Sequence, residues 1–537
     1  MRSAIACCLV KKTLSIVLLW LLCAGACTKL GPNFSTPPAD VAPNWLEADD
    51  PKLSENKPNY REWWNVFDDP VLNRLIQIAY QQNLPLRIAG IRVLEARASL
   101  GVAIGQFYPQ TQQAFGSVNF NRYPAGFLSS TQTDQSSSSA TAYWQSDIGL
   151  ALSWELDFWG KFRRAIESAD MSFLSSVAAY DAALVALTGD VAGSYVLIRT
   201  FEERLRIARN NVIIQKESLK IAQARFRGGA TSERDVEQAL TQLNSTEAII
   251  PQLEISLQQS KNSLSVLLGI TPAQLGELLS GAAPIPKAPL QVAVGIPADL
   301  LRRRPDIRSA EFQAAAQCAQ IGIAKADLYP AFSLSGNMGF SAVDLGQAAL
   351  GDMFTWGNRT GLSMGPSFQW NLFNYGRITN NVRVQDARFE ALLVNYQNAV
   401  LKAQQEVEDG LVAFLKSQQK AKSLTLSAKA AKRSVDLAMI QYREGATDYT
   451  TVLTAQQALL QQEDNLAVTQ GEIPQAVISL YRALGGGWEI RKGKDFIPVE
   501  TRKVMTDRTN WGDLLTPASA QPTEPPSMHE LFPPPDW

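Results

Sequence analysis

The chain has 537 residues, with 50 basic and 51 acidic side chains and a formal net charge of −1. That balance offers no basic face to nucleic acid, and a single histidine, His529, leaves a histidine metal site or a Ser-His-Asp machine almost nothing to work with. Four of the five cysteines lie in the first 27 residues and only Cys318 lies in the body. No disulfide framework is therefore expected in one mature chain, and no catalytic residue, cofactor or metal ligand is assigned.

The N-terminus reads as an export signal. Arg2, Lys11 and Lys12 precede a short apolar core, Leu14 to Leu22, too short for a comfortable membrane span. Ala24-Gly25-Ala26-Cys27 follows. Small residues ending in cysteine match a bacterial lipobox, which makes residues 1–26 a signal peptide and Cys27 the acylated first residue of the mature chain. The competing reading is an ordinary cleavage site with an incidental cysteine, since Ala24 matches less well than leucine would. Thr28 replaces the aspartate that favours inner-membrane retention, which points the anchor to the outer membrane. Beyond the signal there is no run of ~18 apolar residues, so a membrane crossing has to be made by β-strands.

Residues 27–75 form a lipidated N-terminal segment, and a first repeat follows over 76–285. Its β-hairpin spans about 112–158. Ile148, Leu150, Leu152, Trp154, Leu156 and Phe158 alternate there with Asp147, Gly149, Ala151, Ser153, Glu155 and Asp157. The partner strand around Val118 and Phe120 alternates less cleanly. A long helix runs from Lys161 to about Arg225, turns at Gly228-Gly229, and returns as Ser232 to Leu268.

A second repeat, 286–488, does the same. Its hairpin spans about 331–373. Phe332, Leu334, Met338 and Phe340 alternate with serine, asparagine and glycine, and so do Leu362, Met364, Phe368, Trp370 and Leu372. A helix from Arg377 to about Tyr442 carries a coiled-coil-like stripe that includes Phe389, Leu392, Tyr396 and Val400. It turns at Gly445 and returns as Asp448 to Leu484. Thr231, Ser232 and Asp448 are candidate caps of the returning helices. The tail, 489–537, becomes proline-rich from Pro517 and is read as disordered at its end.

The two repeats are related by constant offsets. Trp154-Glu155-Leu156 with Gly160 matches Trp370-Asn371-Leu372 with Gly376, and Phe226 to Thr231 matches Tyr442 to Thr447, both 216 residues later; Gly101 and Tyr108-Pro109 recur 221 residues later as Gly322 and Tyr329-Pro330. Such constancy marks an internal duplication. A soluble sheet packed on helices would alternate identically. Export, strand length and the few charges on the polar face favour lipid outside and water inside. Four strands cannot close a barrel and lipid does not tolerate an open edge, so several chains have to contribute; three would give twelve strands and a wide lumen.

Several motifs are more specific. Gly31-Pro32-Asn33-Phe34, Pro43-Asn44-Trp45, Trp63-Trp64 with Phe67-Asp68-Asp69-Pro70, Trp154-Glu155-Leu156-Asp157, and the run Gly295 to Ile307 with Ile321-Gly322-Ile323-Ala324 stand out. Over about residues 27–488 the chain resembles the TolC-like outer membrane factors, in their NodT/OprM-like lipoprotein branch. The resemblance implies a mixed α and β fold. Three chains would form a twelve-stranded transmembrane β-barrel, four strands from each, continuous with a long periplasmic α-helical barrel. It implies a passive exit duct of a tripartite efflux system, working with a periplasmic adaptor and an inner-membrane transporter of the resistance-nodulation-division type. By position at the helical tips, Arg227, Gly229, Arg443 and Gly445 are candidate adaptor contacts. Asp235, Asp448 and Thr454 are candidates for lining the entrance. Thr454 stands where many relatives carry an acid, which puts a carboxylate gate there in doubt.

The outlet of a type I protein secretion system and a periplasmic lipoprotein scaffold are the competing functions. The Arg302-Arg303-Arg304 cluster reads as a structural helix start that pairs with carboxylates such as Asp299 and Asp306, and Cys318 as a small packing residue. The transported substrate is not legible.

Overall fold

The computed structural model describes residues 29–38, 40–54, 59–123, 141–279, 281–295, 303–344 and 360–515. The signal segment with Cys27, both hairpin tips, Arg302 and the tail with His529 lie outside the described residues.

In chain order the elements are β1 (Leu53–Ser54), α1 (Pro70–Gln82), α2 (Leu84–Gly105), β2 (Thr111–Tyr123), β3 (Thr141–Leu156), α3 (Lys161–Arg227), α4 (Glu233–Leu268), α5 (Pro272–Leu279) and β4 (Val292–Ala293). Then follow α6 (Pro305–Ala326), β5 (Ala331–Asp344), β6 (Thr360–Gln369), α7 (Arg377–Arg443), α8 (Tyr449–Ala483) and α9 (Val499–Arg508).

The starts of α1 and α2 follow from capping chemistry. Asp69 accepts from the backbone N–H groups of Val71 and Leu72, and Asn83 accepts from that of Leu86; each helix then carries proline in its first turn, where no donor is lost. The rods α3 and α7 are each 67 residues long, and both their ends obey the 216-residue offset. At ~1.5 Å per residue each spans about 100 Å. Gly160 and Gly376 precede them at φ 74° and 81°, a left-handed turn that side-chain-bearing residues avoid.

One expectation is corrected here. An 18-residue window of α3 does reach a mean hydropathy of 1.4, enough by composition for a membrane helix. It lies within a much longer rod and 44% of it is buried in the chain, against α6, α8 and the belt described below.

The strands form one antiparallel sheet in the order β2-β3-β5-β6, and β1 and β4 form a separate two-residue parallel pair. The register runs Ile148 opposite Gly116 and Phe340, and Met338 opposite Leu362. β6 stops at Gln369, so Trp370 to Leu372 are not strand. The corresponding Trp154 to Leu156 are strand because β5 pairs with them, beyond the point at which β2 has ended.

The main core is a belt around the middle of α3. It gathers Trp63, Trp64, Phe67, Leu72, Leu184, Val191, Phe414 and Tyr481 from distant parts of the chain. Within it Tyr195 donates to Asp69 at 2.8 Å, and burial pushes the phenol up to about 12. The unfolded phenol ionises near 10 and the folded one only near 12, so the folded state holds the extra proton and stability falls as pH rises through that window. The loss should approach ~2–3 kcal/mol. A Tyr195→Phe variant should show a flatter alkaline limb in unfolding midpoints measured from pH 9 to 12.

Candidate functional site

Three regions carry the functional reading: the two faces of the sheet, the helical tips, and the segment that follows Cys27.

The register sorts the strands into unlike faces. One carries Phe120, Trp144, Ile148, Leu150, Leu362, Met364 and Phe368, each at least 42% exposed although large and apolar. Such a surface is far from what water favours. The other face carries Ser117, Gln145, Ala151, Ser153, Ser335, Asn337, Ser363 and Ser367. Phe115 breaks the pattern by lying on this small, polar face. Its ring covers Gly149, where a Cβ would come within 2.6 Å of the Met338 carbonyl and 2.9 Å of Phe115 Cζ. Gly339 lies directly opposite Gly149. The polar face is thus drawn tight at a glycine pair, which explains why β2 alternates poorly in sequence.

At the tips, Arg227, Gly229, Arg443 and Gly445 are all exposed. Gly229 and Gly445 hold φ of 73° and 80°, whereas Gly228 does not share that conformation. The two tips touch, because the Arg225 guanidinium lies over the Tyr442 ring at 4.5 Å. Asp448 and Thr454 are exposed; Asp235 is buried. Its carboxylate accepts from Thr231 Oγ1 at 2.5 Å and from the Tyr442 hydroxyl at 3.3 Å. Asp235 therefore braces the junction of α3, α4 and α7 within this chain. Burial raises the Tyr442 phenol, which keeps that donor protonated. Ser232 and Asp448 make no side-chain cap. Asp448 instead accepts from the Thr451 hydroxyl, and Thr231 is occupied by Asp235.

The segment from Lys29 is clamped from its first residues. The Leu30 N–H donates to the Trp159 carbonyl at 3.1 Å. Arg164, with 1% of its side chain exposed, donates to the carbonyls of Leu30 and Gly31, to Asn33 Oδ1 and to Glu167. Gly31, at φ 88°, lies against the Gly322 backbone. Further on, Gln404 and Glu408 of α7 accept from the backbone of Ala42 and Leu46, and Trp45 donates to the Gly295 carbonyl. The segment is a strap that runs along α6 and α7 from the sheet to the belt. Sequence reasoning quoted Gly31 of the strap and Gly322 of α6 but missed Arg164, three of whose four acceptors lie 131 to 134 residues away.

The arginine cluster is structural in this geometry. Arg304 forms a bidentate pair with Asp306 and also reaches Glu406 and the Ala483 carbonyl, which ties the start of α6 to α7 and α8. Arg303 pairs with Glu489 and lies over the Tyr60 ring. Cys318 is buried, with its Sγ 3.6 Å from the Pro32 carbonyl.

The family model for outer membrane efflux proteins matches residues 75–270 and 296–486. The chain belongs to the outer membrane efflux protein family. It is 31% identical over 464 residues to Nodulation protein T of Rhizobium leguminosarum bv. viciae, covering 86% of this chain and 91% of that one. It is 30% identical to the probable outer membrane lipoprotein SilC of Salmonella typhimurium, covering 89% of this chain and 99% of that one. Among solved structures, the outer-membrane channel OprN superposes with a TM-score of 0.78 at 30% identity, covering 86% of this chain and all of that one. Family membership places the chain among outer-membrane efflux channels.

Proposed function

We propose that three copies of this chain form the outer-membrane exit duct of a tripartite efflux pump. The observation that carries this reading is the sheet. It has four strands, one apolar exposed face, one small polar face, and strand edges at β2 and β6 that lack a partner among the described residues. Lipid tolerates no open edge, so the sheet has to be closed by further copies. On the apolar face Trp144 and Trp154 are ten residues apart. At ~3.3 Å per residue and a tilt of ~40°, that is about 25 Å, the height of a lipid-facing band edged by aromatic residues. The polar face then lines a water-filled lumen that continues between the rods.

In this reading the two repeats are copies of one ancestral unit, and the belt encircles the rods between barrel and tips. Arg227, Gly229, Arg443 and Gly445 offer the exposed surface farthest from the barrel to a periplasmic adaptor, beyond which stands an inner-membrane transporter of the resistance-nodulation-division type. Asp448 and Thr454 line the entrance, and Asp235 braces it from behind. Cys27, two residues before the clamped Lys29 in sequence, carries the acyl anchor.

Purified in detergent, the protein should have the mass of three chains and conduct ions in planar bilayers. A monomer without conductance overturns the proposal. Mass spectrometry of the mature terminus should find acylated Cys27, and an unmodified terminus overturns the anchor.

A further inference from the structure

The two rods match at an offset of 216 residues but differ in charge. Residues 200–217 of α3 hold four cations, Arg204, Arg206, Arg209 and Lys216, and three acids, Glu202, Glu203 and Glu217. Each of these cations is paired within the chain: Arg204 with Asp464, Arg206 with Glu203, Arg209 with Glu254 and Lys216 with Glu247. The matching stretch of α7, residues 416–433, holds six cations, Lys416, Lys420, Lys422, Lys429, Lys432 and Arg433, and no acid. Gln418, Gln419 and Arg433 stand where α3 has Glu202, Glu203 and Glu217.

All six cations are exposed, and among the described residues only Lys420 has an ion-pair partner, Glu472 at 2.8 Å. Residues three or four apart on a helix are neighbours, so Lys416 repels Lys420, and Lys429 repels Lys432 and Arg433. The helix itself gains nothing from this run, and α3 does without it.

A heptad line fixes the side on which the lysines stand. Gln404 and Glu408 of α7 accept from the strap, and Leu411 and Leu415 pack in the belt. In the same alternating steps of four and three, the line continues through Gln418, Lys422, Thr425, Lys429 and Lys432. These lysines therefore occupy the face that strap and belt cover farther up the rod. In the reading above that is the outer face of the duct. Below the belt it is open, with Lys422, Thr425, Lys429 and Lys432 all exposed. Lys422 and Lys432 lie 21 and 11 residues before Arg443, the last residue of the rod. At ~1.5 Å per residue they are about 32 and 17 Å from the tip.

The chemistry of this face selects the kind of partner. Gln418, Lys422, Thr425, Lys429 and Lys432 include no apolar or aromatic anchor of the sort that centres a contact between folded proteins. Lysine offers a compact charge on a flexible stem, not the rigid fork with which arginine grips one carboxylate in one geometry. Such a face suits a flexible polyanion held by charge along a length of rod. Resting on the exit-duct reading above, in which the rods cross the periplasm, we propose that Lys422, Lys429 and Lys432, with Arg433 beside them, dock the cell-wall polymer around the duct through the free carboxylates of its peptide stems. The contact holds the duct at one height in the mesh of the wall and leaves the tips free.

Purified cell-wall sacculi are the probe, mixed with the full-length protein in detergent. Wild type should pellet with them at about 0.05 M salt and be released at about 0.5 M, where screening shortens charge attraction to a few ångströms. Lys422→Gln/Lys429→Gln/Lys432→Gln should lower the bound fraction at least tenfold while trimer mass and helix content by circular dichroism stay at wild-type values. Arg206→Gln/Arg209→Gln/Lys216→Gln removes as many cations, all of them paired, and should bind within twofold of wild type. Sacculi whose carboxyl groups have been amidated should hold wild type no better than intact sacculi hold the α7 variant. Equal pelleting of the two triple variants overturns the proposal. So does undiminished binding to amidated sacculi, which would put recognition in the glycan. Loss of the trimer in the α7 variant overturns it as well, because the lysines would then belong to the contact between copies. A wild-type trimer that never pellets overturns the docking face alone, whereas a wild-type monomer overturns the duct reading beneath it.

Discussion

Replacing Arg491 with methionine should lower the stability of the folded chain by about 3–5 kcal/mol. Arg491 and Asp181 form a bidentate pair at 2.5 and 2.9 Å, with 5% and 1% of their side chains exposed. The guanidinium also lies 4.9 Å from the Phe496 ring centroid. Burial already raises the Asp181 carboxyl, and Arg491 is the largest influence pulling it back. Without the arginine the buried carboxylate keeps only the weaker pull of Arg308, and its folded pKa rises further above the unfolded value. A raised carboxyl contributes stability below its unfolded pKa and loses it as pH rises through the folded one. The deficit of Arg491→Met should therefore be larger at pH 8 than at pH 5, measured by urea unfolding in detergent. Asp181→Leu/Arg491→Met should recover most of the loss, since an apolar pair leaves no orphaned charge. Additive losses in the double variant would show that the two residues are energetically independent.

That pair also marks where sequence reading stops. The partners are 310 residues apart and neither belongs to a periodic pattern. The rods are legible because in the second an apolar stripe recurs every three or four residues from Phe389 to Phe414 and the first matches it at a constant offset, and the ends read from sequence fall within two residues of those in the structure. Arg304 with Asp306 was legible because a helix start brings residues two apart together. Trp370 to Leu372 were read as strand because alternation reports a preference, whereas a strand also needs a neighbour, which one chain does not supply. Asp235 was placed at the entrance by its closeness to the tip. Sequence distance does not say which way a side chain turns, and this one turns inward to Thr231 and Tyr442.

Gly322→Leu should expel the strap that follows the anchor site. A side chain there would start 2.6 Å from the Leu30 carbonyl and 2.9 Å from Arg164 Cγ, and Gly31 closes the same space from the other side. Neither neighbour can yield cheaply. Leu30 is fixed to Trp159 by its backbone, and Arg164 is buried with four acceptors. Moving the strap takes three of those acceptors away and leaves a guanidinium only partly paired, so the cost should be about 3 kcal/mol or more. Lys29, held to Glu167 in the intact protein, would become open to trypsin. Limited proteolysis should cut after Lys29 at least tenfold faster in Gly322→Leu than in wild type. The belt, which does not include α6, should keep its unfolding midpoint to within a few degrees. Wild-type protection at Lys29 would show that the groove widens to accept leucine. If cleavage rises while the belt holds, the strap is a separable tether: its grip on the rim, and with it the position of an acyl group on Cys27, is set by Gly31, Arg164 and Gly322 and not by the folding of the rods.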